Sequence, residues 1–166
     1  MDRAGFAARR AEGRATRSRP PGARRRGRGK PTPAGFHPRR FALPGGWVVL
    51  VARSRRENDL LTHRFAAPHD LWFHAQGVPG SHVILRRGRR QDNPSRAVLE
   101  AAAAIAAYHS KARSSGMAPV IYTERRYVRK PRKAPAGLAV CIREKTLMVE
   151  PHLPAGAETE EPPRDG

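Results

Sequence analysis

Apolar positions cluster from residue 47 onward, and their spacing changes several times before residue 153. Trp47-Val48-Val49-Leu50-Val51-Ala52 is a continuous apolar run after the Gly45-Gly46 turn signal, the pattern of a buried strand. The chain then turns polar. Asn58 is placed to cap a short helix through Leu60, Leu61 and Phe65, with Leu61 and Phe65 on one side and Pro68 as its end. Leu71-Trp72-Phe73-His74 and His82-Val83-Ile84-Leu85-Arg86 read as strands flanking a glycine-punctuated loop, a candidate hairpin.

The clearest helix is expected over residues 94–115. Asn93 stands at its N-cap, Pro94 in its first turn and Gly116 just past its end. Val98, Ala101, Ala102, Ile105, Tyr108 and Ala112 follow helical spacing and form its apolar stripe. Lys111 and Arg113 fall in the last turn, where the helix dipole favours cations. Strands follow at Pro119-Val120-Ile121-Tyr122-Thr123 and Tyr127-Val128, then a hairpin of residues 138–142 with 145–149. The sum predicts an α+β fold: a single compact domain with a mixed, mainly antiparallel sheet and one long helix on one face.

Charge divides the chain. Residues 1–40 hold 13 basic and two acidic groups, a net +11, with abundant Gly, Pro and Ala. So few large apolar residues cannot offset the entropy of ordering, and this segment reads as a disordered Arg-rich arm. It lacks the amphipathic periodicity of a transit peptide and the apolar core of a secretory signal. Residues 41–153 also carry net +11 and hold nearly all the apolar runs, so they form the folded domain. Residues 154–166 carry net −3 and read as a disordered acidic tail, a candidate shield for the arm.

No run of about 18 apolar residues exists, so the sequence offers no membrane-spanning helix. The single Cys141 excludes an internal disulfide and a CxxC zinc site, fits an apolar strand, and points to a reducing, cytoplasmic setting. Neither a Walker loop, a dinucleotide fingerprint nor a G-x-S-x-G elbow occurs, and no cofactor is expected. Asp70, His74 and Ser81 are the residue types of a nucleophilic triad, which keeps a small hydrolase as a minor alternative.

A net charge of +19 points to a polyanionic partner, because cations this dense destabilise a fold unless phosphates relieve them. The candidate phosphate contacts are Arg129, Lys130, Arg132 and Lys133, with Lys111 and Arg113. His74 lies on the opposite strand face from Phe73 and is the better surface candidate for stacking on an unpaired base. The loop containing Pro79, Gly80, Ser81 and His82 is either a tight turn or a cradle presenting N–H groups and a hydroxyl to phosphate. Asn58 and Asp59 either cap a helix or read a ribose hydroxyl.

Two stretches carry a resemblance. Asn58-Asp59-Leu60-Leu61-Thr62 and Asp70-Leu71-Trp72-Phe73-His74-Ala75-Gln76-Gly77-Val78-Pro79-Gly80-Ser81-His82-Val83 resemble the signature of the NFACT-R domain. That is the RNA-binding domain of the RqcH/NEMF ribosome-quality-control proteins, some once called fibronectin-binding proteins. The likeness continues through Ala106-Ala107-Tyr108-His109-Ser110-Lys111-Ala112-Arg113 and Val128-Arg129-Lys130-Pro131, and spans roughly residues 46–151. It departs at Arg132-Lys133-Ala134-Pro135-Ala136-Gly137, where the family tends toward a basic residue, Gly and then Pro-Gly. The resemblance implies a non-catalytic RNA-binding module whose partner is tRNA or rRNA, with the large ribosomal subunit as the setting. An accessory role in RNA modification is the alternative it leaves open.

Overall fold

The computed structural model describes residues 35–88 and 90–154. The expected acidic tail, apart from Pro154, and the arm up to residue 34 lie outside them. A six-stranded sheet organises the chain, in the spatial order β1-β2-β4-β3-β5-β8 with every neighbour antiparallel. Its strands are β1 Arg39–Leu43, β2 Trp47–Val51, β3 Leu71–Ala75, β4 Val83–Arg86, β5 Ala118–Glu124 and β8 Lys145–Val149. The α+β class stands, and the sheet is antiparallel throughout rather than mixed. A second, two-stranded ribbon joins β6 Val128–Arg129 to β7 Val140–Cys141.

That ribbon corrects the hairpin expected between residues 138–142 and 145–149. Val140 and Cys141 pair back with Arg129 and Val128, while Lys145–Val149 extends the main sheet beside β5. Two apolar segments close in sequence had different neighbours available, and local pattern does not rank them. The β3–β4 pairing expected across the loop is present. Strand β1 lies partly inside the stretch assigned above to the arm, and Phe36 before it is buried. Arg39 and Arg40 disguise an edge strand whose inward residues are only Phe41 and Leu43. Gly45 and Gly46 turn it into β2 with φ of +85° and +79°, a conformation that residues with a Cβ rarely adopt.

Both sheet faces are covered. Helix α2, Arg96–Tyr108, lies on one face, where Ala102, Ala103, Ile105 and Ala106 pack on Phe41, Val49, Phe73, Val83, Leu85 and Val120. Its small side chains let the helix approach the sheet closely. On the other face Leu61, Phe36 and Val128 cover Leu50, Trp72 and Ile84. Leu61 comes from a π-helical segment, Leu60–Phe65, that continues α1, Arg55–Asp59.

Two helix boundaries differ from expectation. Ser54, not Asn58, caps α1: its Oγ accepts the Glu57 N–H at 3.0 Å. The Ser54-x-x-Glu57 spacing is the sequence signal for that cap. Leu61 is buried, whereas Phe65 turns outward to stack against Phe36 under the Arg86 guanidinium. Helix α2 starts at a Ser95 cap and stops at Tyr108, so Lys111 and Arg113 lie beyond its axis. Ser110 ends it: its Oγ donates to the Ala107 carbonyl at 2.7 Å and accepts the Ala112 N–H at 3.0 Å.

Candidate nucleic-acid interface

The return from β3 to β4 is strapped down by two elements. Gly80 bridges to Ser110, the Ser81 N–H donates to the His109 carbonyl at 2.9 Å, and the Lys111 N–H donates to Pro79 O at 2.9 Å. From α1, Asn58 Oδ1 accepts the His82 N–H at 2.9 Å, and Asn58 Nδ2 lies 3.5 Å from Gly80 O. A Cβ on Gly80 would sit 2.7 Å from Ser110 Cβ, so glycine is needed for this close approach. The strap decides between the two expectations for the loop. The N–H groups of Ser81 and His82 are already used, so they are not a phosphate cradle.

An open groove of about 970 Å³ forms around this strap. It gathers seven of the expected site residues: Asn58, His74, Pro79, Gly80, Ser81, Lys111 and Arg113. It also gathers Arg39, Arg53, Arg55, Tyr108 and His109, which the sequence reading did not place at the site. Arg39 was hidden in the arm-like stretch. Arg53 and Arg55 follow a buried strand, a position from which a basic cluster can face a cleft.

Charge in the groove is one-sided. Arg39, Arg53, Arg55, Lys111 and Arg113 line it, and among the described residues no Asp or Glu does. None of these five makes an ion pair with another described residue. The carboxylates of Asp70, Asp92, Glu100, Glu124 and Asp59 pair instead with Arg86, Arg90, Arg96, Arg126 and Lys130. Local acids therefore neutralise cations elsewhere and leave those of the groove available.

Four expected cations stand outside the groove. Arg129 is exposed at the end of β6, and Lys130, Arg132 and Lys133 are exposed on the connection from β6 to β7. The far end of that connection, residues 135–138, forms part of the groove wall. Asp59 anchors it, with Oδ2 2.6 Å from Lys130 Nζ and Oδ1 accepting the Gly137 N–H at 3.1 Å. Asp59 is thus a brace rather than a helix cap, and Lys130 is already paired.

The histidines have separate roles. His82 is 1% exposed, which corrects its expected contact role. Its Nδ1 lies 2.8 Å from Thr62 Oγ1, its ring meets Trp72 and His74 edge-on, and burial pushes its pKa down to about 3. His74 is half-buried, stacked parallel on Trp72 with 5.8 Å between centroids, and burial lowers its pKa as well. His109 sits at the end of α2, where burial and then the charges of Arg39 and Arg113 push its pKa down to about 4. Arg113 lies over the Tyr108 ring at 3.9 Å from its centroid and donates to the Tyr108 hydroxyl.

The triad alternative fails on geometry. Asp70 is buried, and its oxygens accept the N–H groups of Ala67 and Arg87 at 2.8 Å each while facing Arg86. Its carboxylate braces loops and orients no histidine. No helix among the described residues is long and apolar enough to cross a membrane.

Comparison with known proteins identifies the family. The family description "NFACT protein RNA binding domain" matches residues 38–140. The chain is 39% identical over 111 residues to the Rqc2 homolog RqcH of Bacillus subtilis (strain 168), covering 67% of this chain and 19% of that one. It is 39% identical over 115 residues to the Rqc2 homolog RqcH of Streptococcus suis (strain 05ZYH33), covering 68% and 20%. It therefore spans about a fifth of the length of these relatives. A solved structure of the C-terminal part of the fibronectin/fibrinogen-binding protein from Streptococcus suis superposes with a TM-score of 0.65. That match has 37% identity and covers 70% of this chain and 46% of that one. Matched over residues 38–140, which hold five of the six strands of the sheet and helix α2, the chain belongs to the NFACT protein RNA-binding domain family.

Proposed function

We propose that this domain docks on tRNA or rRNA at the large ribosomal subunit, in ribosome quality control, as a binding module without catalysis of its own. The observation that carries the proposal is the groove lined by five cations and, among the described residues, by no carboxylate. Phosphate is the ligand chemistry that such an arrangement selects, and each neutralised phosphate adds affinity by releasing counterions. Arg39, Arg53, Arg55, Lys111 and Arg113 supply the central contacts. Arg129, Arg132 and Lys133 extend the cationic surface along the connection whose end forms one groove wall. His74, Pro79, Gly80 and Ser81 shape the floor, while Asn58 and Asp59 hold the two loops in place. The Arg-rich arm adds a sequence-indifferent hold, and the acidic tail is its candidate shield.

The test is ultraviolet crosslinking in cells followed by sequencing of the attached RNA. Reads concentrated in tRNA or large-subunit rRNA are expected, and co-sedimentation with large subunits should accompany them. Reads spread over messenger RNA in proportion to abundance would overturn the ribosomal setting. Co-purification with a modifying enzyme and free tRNA would move the protein to an accessory role in RNA modification.

A further inference from the structure

The groove holds more than cations. His109 Nδ1 lies 3.2 Å from the Ile105 carbonyl oxygen. A carbonyl only accepts, so Nδ1 carries the proton, and a neutral ring then leaves Nε2 as a bare acceptor. Low basicity keeps this ring neutral at pH 7. Nε2 has no hydrogen-bond partner among the described residues and is not one of their buried, unpartnered atoms. A phosphate diester has no proton to give such an acceptor. A nucleoside has three kinds: the ribose 2′-hydroxyl, the exocyclic amines of the bases and the ring imino N–H of uracil and guanine.

Beside it stands a stacking surface. The Arg113 guanidinium sits over the Tyr108 ring and is held by its hydroxyl, and Arg113 is exposed at the groove. A guanidinium plane backed by an aromatic ring is a platform for a base whose face is free. Bases inside a duplex have no free face. A groove of about 970 Å³ also has room for a few nucleotides.

We infer that the groove takes an unpaired ribonucleotide, its base stacked on the Arg113–Tyr108 pair and a nucleoside proton donor seated on His109 Nε2. This rests on the reading of the groove as the RNA site and specifies the RNA class it accepts.

The experiment measures binding of the full chain to a short unstructured RNA carrying one 2-aminopurine, and to a blunt RNA duplex of equal length. Salt is raised to weaken diffuse contacts from the arm. Arg113→Lys keeps the charge and removes the plane. It should lower single-strand affinity about fivefold to tenfold and abolish 2-aminopurine quenching, with a clearly smaller loss on the duplex, which meets only the charge. His109→Phe should lower single-strand affinity by a similar factor, with His109→Gln, which keeps an acceptor, partly restoring it. An all-deoxy strand and a strand without exocyclic amines then separate the donors: the one that loses its sensitivity to His109→Phe names the group, and sensitivity kept by both assigns the ring imino N–H. Equal losses on duplex and single strand, or none on either with quenching intact, would overturn the inference while leaving the groove as an RNA site. If Arg53→Glu with Arg55→Glu also changes neither RNA, the groove reading falls, and this inference with it.

Discussion

Asn58 accepts the backbone N–H of His82 at 2.9 Å, across 24 residues of sequence, and so ties the β3–β4 loop to helix α1. Both residues are almost fully buried. A buried N–H that loses its acceptor costs about 1–3 kcal/mol. Asn58→Ala is expected to lower the unfolding free energy by that amount, read as a lower urea midpoint, and to weaken RNA binding through displacement of Gly80 and Ser81. Asn58→Asp retains an acceptor and should recover most of the stability. Equal midpoints for wild type and Asn58→Ala would show that the loop does not depend on this tether.

Gly80 and Gly116 make opposite predictions. Gly80→Ala drives a methyl to 2.7 Å from Ser110 Cβ and should separate the strap from the end of α2, with a loss of about 1–3 kcal/mol. Gly116 has nothing within 4 Å of its would-be Cβ and no positive φ. Gly116→Ala should be neutral or stabilising by up to about 1 kcal/mol, because it restricts the unfolded chain. Thermal melts of the two variants provide the check. A Gly80→Ala variant as stable as Gly116→Ala would contradict the described close approach.

Acid should destabilise this domain through its buried histidines. The pKa values of His82 and His109 are pushed down to about 3 and about 4 from an ordinary value of 6.5. The unfolded chain therefore takes up protons near pH 6.5 that the folded domain refuses. Stability is then fully present above pH 6.5 and falls as pH drops toward the folded values. Each such histidine contributes a slope of up to about 1.4 kcal/mol per pH unit within that window. Urea midpoints between pH 7.5 and 4.5 should fall steadily below pH 6.5, and His109→Gln should reduce the slope. A flat profile down to pH 4.5 would contradict the neutral, buried state assigned to these rings.

Lys133 has a φ of 62°, a left-handed conformation in the turn closed by the Ala134 N–H on the Pro131 carbonyl at 3.0 Å. Holding a residue with a Cβ there costs about 1 kcal/mol. Lys133→Gly should raise stability by about that much and weaken RNA binding by one phosphate contact. Opposite signs in the two measurements are the expected signature of a cation kept for its charge. Unchanged affinity would remove Lys133 from the interface.

Much of this was readable from the sequence, and the misses have physical causes. Buried strands β2, β3, β4 and β5 announce themselves because continuous apolar runs have few other fates. Strand β1 did not, since an edge strand needs only Phe41 and Leu43 inward and carries arginines outward. The length of α2 was overestimated because Lys111, Ala112 and Arg113 suit a helix by propensity. Their actual path is set by Ser110 and by the strap from Gly80, contacts between residues 30 apart in sequence. Of the site, the residues Lys111, Arg113, His74, Pro79, Gly80 and Ser81 were legible and meet in one groove. The contributions of Arg39, Arg53 and Arg55 were not, because only tertiary structure brings two charge runs and a helix end together. His82 was misjudged for the same reason: its neighbours Thr62, Trp72 and Asn58 come from three different elements.

The most direct measurement is the salt dependence of tRNA affinity for the full chain, compared with a variant carrying Arg53→Gln, Arg55→Gln and Lys111→Gln. Each phosphate contact contributes roughly 0.7–0.9 to the slope of log K against log salt. If the groove is where phosphates sit, the variant's line should be shallower by roughly 2–3 and its affinity at low salt lower by orders of magnitude. A line parallel to that of the unaltered chain would place the phosphate contacts elsewhere and contradict the account.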